Sequence, residues 1–192
     1  MKRIVFASQN ENKVEEIRRQ LQNSLEILSL NDIGHTEELA EDQDDLKGNA
    51  LQKARFVKDN LGYDCFADDT GLEIFALGGE PGVRSARYAG EEKDANANME
   101  KVLDLMQDKD DRRASFKTVI ALILGNKEYL FEGVCEGTII REKRGEKGFG
   151  YDPIFVPKST NTSFAEMSFE EKAEIGHRGK AIDRLISFLN EL

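Results

Sequence analysis

The sequence predicts an α/β protein with a mixed central sheet flanked by helices. Short strands and amphipathic helices alternate through the first half of the chain, the order expected of strand–helix units. Antiparallel signals then enter, the clearest a Gly125-Asn126 turn between two long apolar runs. At 192 residues the chain can bury a full core without disulfides or a structural metal, as one domain or one unit of two lobes.

The elements follow in order. Ile4 to Ala7 is a buried-type strand that ends in polar Ser8-Gln9-Asn10, and Val14, Ile17 and Leu21 then fall at helical spacing. Leu25 to Leu30 alternates as a second strand, and an acidic stretch runs from Glu37 to Asp45. A second helix is expected from about Gly48 to Asn60, with Ala50, Ala54 and Val57 inward. Tyr63 to Ala67 reads as a strand, broken by a carboxylate turn at Asp68-Asp69-Thr70-Gly71 and resumed from Leu72 to Leu77. Gly78-Gly79-Glu80-Pro81-Gly82 is a loop by composition. Asp94 caps a helix carrying Met99, Val102, Leu103 and Met106. Phe116 to Leu124 and Tyr129 to Ile140 form the hairpin. A glycine-rich segment, Gly145 to Gly150, leads into Ile154-Phe155-Val156. Ser168-Phe169-Glu170-Glu171 is a capping box, and Ile182, Leu185, Ile186 and Leu189 mark a last amphipathic helix.

Composition narrows the function. The formal net charge of −10 repels phosphate backbones, which argues against a nucleic-acid groove or an anionic membrane as partner. A small anionic substrate stays open, provided its lysines and arginines are concentrated locally. Cys65 and Cys135 have no CxxC or metal spacing and read as buried thiols. Met1-Lys2-Arg3 is followed by too short an apolar run for a signal peptide, and nothing approaches transmembrane length, so a cytoplasmic protein is expected.

Four segments carry candidate chemistry. Ser8-Gln9-Asn10-Glu11-Asn12-Lys13 lies where a strand opens into a helix, a place that offers backbone N–H groups, a positive dipole end and the Lys13 ammonium to phosphate. The plainer alternative is that Asn10 or Asn12 caps the helix. Asp68 and Asp69 point different ways at a strand end: one suffices to hold Mg²⁺ beside phosphate oxygens, and the other shapes the turn. In Gly148-Phe149-Gly150-Tyr151-Asp152-Pro153 the glycines admit a flat ligand, Phe149 or Tyr151 can stack on a base, and Asp152 can accept from base N–H groups. Lys172 and the Gly176-His177-Arg178-Gly179 run add donors, and a donor-only arginine distinguishes a keto oxygen from an amino group. For each segment a structural role is the competing reading. Together they make a nucleotide enzyme's inventory. There is no Walker GxxxxGK[ST], no GxGxxG and no Nudix box. His35 lies in a polar loop and is given no role.

The chain resembles the inosine triphosphate pyrophosphatase family, house-cleaning hydrolases of nonstandard purine nucleotides. The resemblance spans nearly the whole chain in motif order. It rests on Ser8 to Lys13, Asn49-Ala50 with Lys53-Ala54, Asp68 to Leu72, Leu77 to Gly82, Ser85-Ala86-Arg87-Tyr88, Lys147 to Pro153, and Ala165-Glu166-Met167 through Glu171-Lys172 to His177-Arg178. It implies Mg²⁺-dependent hydrolysis of ITP, dITP and XTP to the monophosphate and pyrophosphate. It also implies a homodimer and residues 1–192 as a single catalytic domain with two lobes around a central substrate cleft. By resemblance Asp69 is the catalytic proton acceptor and a metal ligand, with Glu41 the second ligand. Ser8, Gln9, Asn10, Glu11, Asn12, Lys13 and Lys172 would hold the triphosphate, with Lys53 helping and Thr70 beside them. Phe149, Gly150, Tyr151, Asp152, His177 and Arg178 would hold the base. Three places depart from the family pattern. Ser8-Gln9-Asn10 stands for Thr-Gly-Asn, Gly176 for a serine, and Ala40-Glu41-Asp42-Gln43 for Glu-Glu-Thr-Gly. The alternatives are another pyrophosphatase of Maf type and a non-catalytic nucleotide sensor, which would not need Asp69.

Overall fold

The structure, a computed structural model, describes residues 3–21 and 25–191. Met1 and Lys2, part of the opening read for a signal peptide, lie outside the described residues. Among the described residues no helix is long and apolar enough to cross a membrane.

Strand β1 (Arg3–Phe6) leads to helix α1 (Glu11–Leu21) and strand β2 (Glu26–Ser29). Helix α2 (Leu46–Phe56) follows, then β3 (Cys65–Ile74), β4 (Pro81–Gly82) and α3 (Ala95–Leu105). The hairpin β5 (Arg113–Leu124) and β6 (Lys127–Ile139), then β7 (Phe155–Pro157), α4 (Phe169–Ile175) and α5 (His177–Asn190), complete the chain. The strands hydrogen-bond in the order β2-β1-β3-β5-β6-β7, with β4 beside β3. β1 is parallel to both β2 and β3, whereas β4 on β3 and β7 on β6 are antiparallel. The sheet is mixed, as the switch from helical connections to hairpins requires.

The chain divides into two compact units. The first comprises Met1–Asp69, Thr118–Gly133 and Ala181–Leu192, and the second Thr70–Lys117 and Val134–Lys180. The boundaries fall inside β3, β5 and β6, so each of these strands gives residues to both units.

In the first unit β1 and β3 are covered on both faces, and the period of two sorts their side chains. Ile4, Phe6, Phe66, Ile120 and Leu122 pack with Val14, Ile17 and Leu21 of α1 and with Ala181, Ile182 and Leu185 of α5. Val5, Ala7, Cys65, Ala67, Val119 and Ala121 pack instead with Ala50 and Ala54 of α2 and with Val57. Phe6 and Phe66 are stacked, ring centroids 4.8 Å apart. In the second unit Leu72, Ile74, Met99, Val102, Phe116, Phe155 and Phe164 form the core.

Several local expectations hold. Asp94 accepts from the N–H groups of Asn96 and Ala97, and Ser168 with Glu171 forms the capping box. Gly125, at φ 58, turns the hairpin. One expectation is overturned: there is no turn at Asp68-Asp69-Thr70-Gly71, because β3 runs unbroken from Cys65 to Ile74. Two acidic residues resemble a turn in sequence. Here each meets a buried amine or amide, which removes the penalty for placing carboxylates in a covered strand. The second helix also starts earlier, at Leu46, and its last turn, Val57–Leu61, is a π-helical one closed by Gly62 at φ 78.

Candidate active site

The strand's alternation separates the two carboxylates. Asp68 shares the face of Phe66 and so looks toward α1, where Lys13 Nζ donates to its Oδ1 at 3.0 Å. Asp69 shares the face of Cys65 and Ala67 and looks toward α2. There Asn49 Nδ2 donates to Asp69 Oδ2 at 3.0 Å, and Lys53 Nζ lies 3.7 Å from Asp69 Oδ1. Asn49 and Lys53 are one helical turn apart on the inward side of α2.

Lys53 gathers the acidic groups. Its ammonium donates to Glu41 Oε1 and, at 2.7 Å, to the Asp68 carbonyl. Glu41, from the irregular stretch before α2, and Asp69, from β3, therefore converge on one buried cation. Burial opposes the Lys53 charge, but Asp69, Glu41 and Asp68 outweigh it and leave its pKa raised. Asp69 is likewise raised above an ordinary carboxylate: burial dominates, and Lys53 and Lys13 only partly offset it. The group sets three carboxylates (Glu41, Asp68, Asp69) against two ammoniums (Lys13, Lys53), a net single negative charge when all are ionised.

The start of α1 corrects another expectation. The N–H groups read as open to phosphate are partly used by the chain itself. Asn10 N donates to Ser8 Oγ, and the N–H groups of Asn12 and Lys13 donate to Asn10 Oδ1. Asn10 is thus the cap, the plainer of the two alternatives. Gln9, where the resembled family has glycine, points its amide nitrogen at the carbonyls of His35 and Glu37, at 3.1 and 3.2 Å. Glu11 accepts from Asn31 Nδ2. These side chains tie loops together, and Lys13 is the one from this segment that joins the carboxylates.

A second group forms in the other unit around the Gly148–Pro153 loop. Asp152 is buried, and its Oδ2 accepts from Phe149 N at 2.9 Å and from Lys172 Nζ at 2.7 Å. Gly148, at φ +73, permits this approach, since a Cβ there would lie 2.0 Å from Asp152 Oδ2. Two cations face the half-buried Phe149 ring: Lys172 Nζ is 4.8 Å from its centroid and the Arg178 guanidinium 5.4 Å. Arg178 Nη2 donates to Thr70 Oγ1 at 3.3 Å. His177, beside it in sequence, stacks on Phe116 with ring centroids 4.5 Å apart.

One more reading changes here. Tyr151 is not a stacking residue, because its ring is in the core and its hydroxyl donates to the Ser85 carbonyl. Phe149 is the ring left for that role. Lys172, read as a triphosphate ligand, is paired with Asp152 and faces the Phe149 ring. Sequence reasoning gave no role to Asn49, which touches Asp69. The available signal was a polar residue on the inward Ala50–Ala54–Val57 side of α2, four before Lys53.

Chemically, the first group offers converging hard oxygen donors, and the second offers a flat aromatic surface ringed by donors. Known proteins are similar to this chain over nearly its whole length. The model of the Ham1 family matches residues 4–188. The dITP/XTP pyrophosphatase of Flavobacterium psychrophilum is 54% identical over 185 residues, 96% of this chain and 97% of that protein. The dITP/XTP pyrophosphatase of Christiangramia forsetii is 52% identical over 98% of this chain and 100% of its own. Among solved structures, a HAM1 protein from Coxiella burnetii superposes with a TM-score of 0.91 at 38% identity, covering 100% of each chain. The Staphylococcus aureus Ham1 protein gives 0.89 at 38% identity over 99% of each. With its fold, motif order and full-length similarity in agreement, the chain belongs to the Ham1 family.

Proposed function

We propose that the protein hydrolyses nonstandard purine nucleoside triphosphates (dITP, ITP and XTP) to the monophosphate and pyrophosphate. The activity named for the relatives, dITP/XTP pyrophosphatase, supports the substrate class. The observation that carries the chemistry is the first group. Asp69 is buried between Asn49 and Lys53, its pKa is raised, and Glu41 converges on the same cation.

The donor set suits Mg²⁺. That ion takes one or two carboxylates and fills the rest of its shell with water and phosphate oxygens. Glu41 and Asp69 are such a pair, and the group's net negative charge leaves room for a cation. Among the described residues no cluster of three or more His, Cys, Asp or Glu is gathered for a metal held by protein alone. Glu41 and Asp69 would hold Mg²⁺, which when bound neutralises and orients the triphosphate.

The chain's own residues do the rest. With Asp69 Oδ2 engaged by Asn49, Oδ1 accepts the proton of the water that attacks the α-phosphorus. Its raised pKa makes it a stronger proton acceptor than an ordinary carboxylate. Lys13 stabilises charge on the departing pyrophosphate. Phe149 stacks on the purine, and Arg178, held by Thr70, donates to a 6-keto oxygen. An adenine amino group there would meet unsatisfied donors and be rejected. The resemblance supports a homodimer.

The test is pyrophosphate release from ITP, XTP, dITP, GTP and ATP with Mg²⁺, wild type beside Asp69→Asn. The expected result is turnover of the first three by wild type and its loss in the variant. A wild type inactive on ITP and XTP would overturn the reading.

A further inference from the structure

We propose that Asn49 is the positioning residue of the metal side: one end of its amide holds Asp69, and the other holds the segment that carries Glu41. The proposal rests on the reading of Glu41 and Asp69 as the carboxylates that receive the cation.

Asn49 is buried on the first turns of α2, with 2% of its surface exposed. Its Nδ2 donates to Asp69 Oδ2 at 3.0 Å, while its Oδ1 accepts from the backbone N–H of Gln43 at 2.9 Å. The Gln43 N–H can only donate, so the amide oxygen must face it and the NH₂ must face the carboxylate. Among side chains of this size only asparagine does both: aspartate lacks the donor, and leucine lacks both ends.

The two things it joins come from different parts of the chain. Asp69 is fixed in β3 by the ladder, but Glu41 lies in a stretch without regular structure, two residues before Gln43. Lys53 attracts both carboxylates, yet an ammonium is a point charge and sets little direction. The planar amide supplies that direction. Gly48 lets the segment seat itself, since a Cβ there would lie 2.7 Å from Gln43 Cβ. At the other end of the segment, Gln9 holds the carbonyls of His35 and Glu37.

The experiment compares wild type with Asn49→Ala and Asn49→Leu, using Mn²⁺ as the probe. Mn²⁺ binding is followed by EPR, alone and with a non-hydrolysable imido analogue of ITP. The Mg²⁺ concentration for half-maximal pyrophosphate release is measured in parallel, and thermal melting reports folding. Partners of metal ligands typically change affinity about 10–100-fold when removed. The expected result is a weakening of Mn²⁺ binding by about tenfold or more in both variants. The Mg²⁺ requirement should rise in step, with a smaller change in KM for ITP at saturating Mg²⁺. A lowered melting temperature with unchanged Mn²⁺ affinity would assign Asn49 a structural role and overturn the proposal. If Asn49→Ala fails to fold, the near-isosteric Asn49→Leu decides alone. Because the EPR arm needs no turnover, a wild type inactive on ITP would sink the functional reading while the Asn49 question is still answered.

Discussion

The two candidate groups solve different problems with different materials. The carboxylate group is built on regular elements: β3 supplies Asp68 and Asp69, α1 supplies Lys13, and α2 supplies Asn49 and Lys53. Its charges are buried and compensated by other charges, as burial demands. The Phe149 group is built on a loop with positive-φ glycines at Gly148 and Gly150, and its cations rest over an aromatic face. The lesson is one of tolerance. A reacting centre that handles charge is held by strand and helix backbone, where directions are set by period. A surface that receives a flat ring can be made by a loop, provided one buried carboxylate, Asp152, anchors it.

Substitutions at the two groups should therefore fail in different ways. The largest effect is expected from Asp69→Asn, which keeps the shape and removes the proposed proton acceptor. Pyrophosphate release should fall about 10²–10⁴-fold with the melting temperature little lowered. A variant that keeps wild-type turnover would remove Asp69 from the chemistry. Next is Lys13→Ala, which strips a partner from almost fully buried Asp68. Unfolding without substrate should be easier by up to about 3 kcal/mol, read from chemical denaturation. In contrast, Arg178→Ala should act on selectivity: the ratio of ITP to ATP turnover should shrink about 10–100-fold, the value of a hydrogen bond from a charged donor. An unchanged ratio would separate Arg178 from base recognition.

Smaller effects sharpen the contrast. Ser168→Ala removes the capping box from the short helix that carries Lys172, and should cost about 1 kcal/mol by the same denaturation assay. Carboxylate titration by NMR on the metal-free protein should separate Asp69 from the exposed Asp111. Burial raises Asp69, whereas hydrogen bonds from Arg113 lower Asp111 to about 2. The signs then differ. Asp111 contributes stability above its unfolded pKa that is lost as pH falls through about 2, while Asp69 favours its protonated form and loses stability as pH rises through its raised pKa.

Much of the fold was legible because patterns of period and capping are local. The Val14–Ile17–Leu21 stripe, the Asp94 cap, the Gly125-Asn126 hairpin and the Ser168–Glu171 box each depend on residues within a turn or two. The Asp68-Asp69-Thr70-Gly71 turn was misread for the same reason. Local chemistry favours a turn there, and only distant Lys13, Asn49 and Lys53 make a continuous strand affordable. Tyr151 and Phe149 are equivalent in sequence, and Tyr151 is core because distant residues pack around its ring and the Ser85 carbonyl, 66 residues away, receives its hydroxyl.

The sequence by itself determined the α/β class, the order of elements, the residue types needed for a purine triphosphate and, through motif order, the Ham1 relationship. Tertiary structure decided who meets whom. It directed Asp68 to Lys13 and Asp69 to Asn49 and Lys53, capped α1 with Asn10, and set Lys172 beside Asp152. The reason is physical. Propensity and period are properties of neighbouring residues, whereas the partner that makes a buried charge tolerable comes from wherever packing brings one.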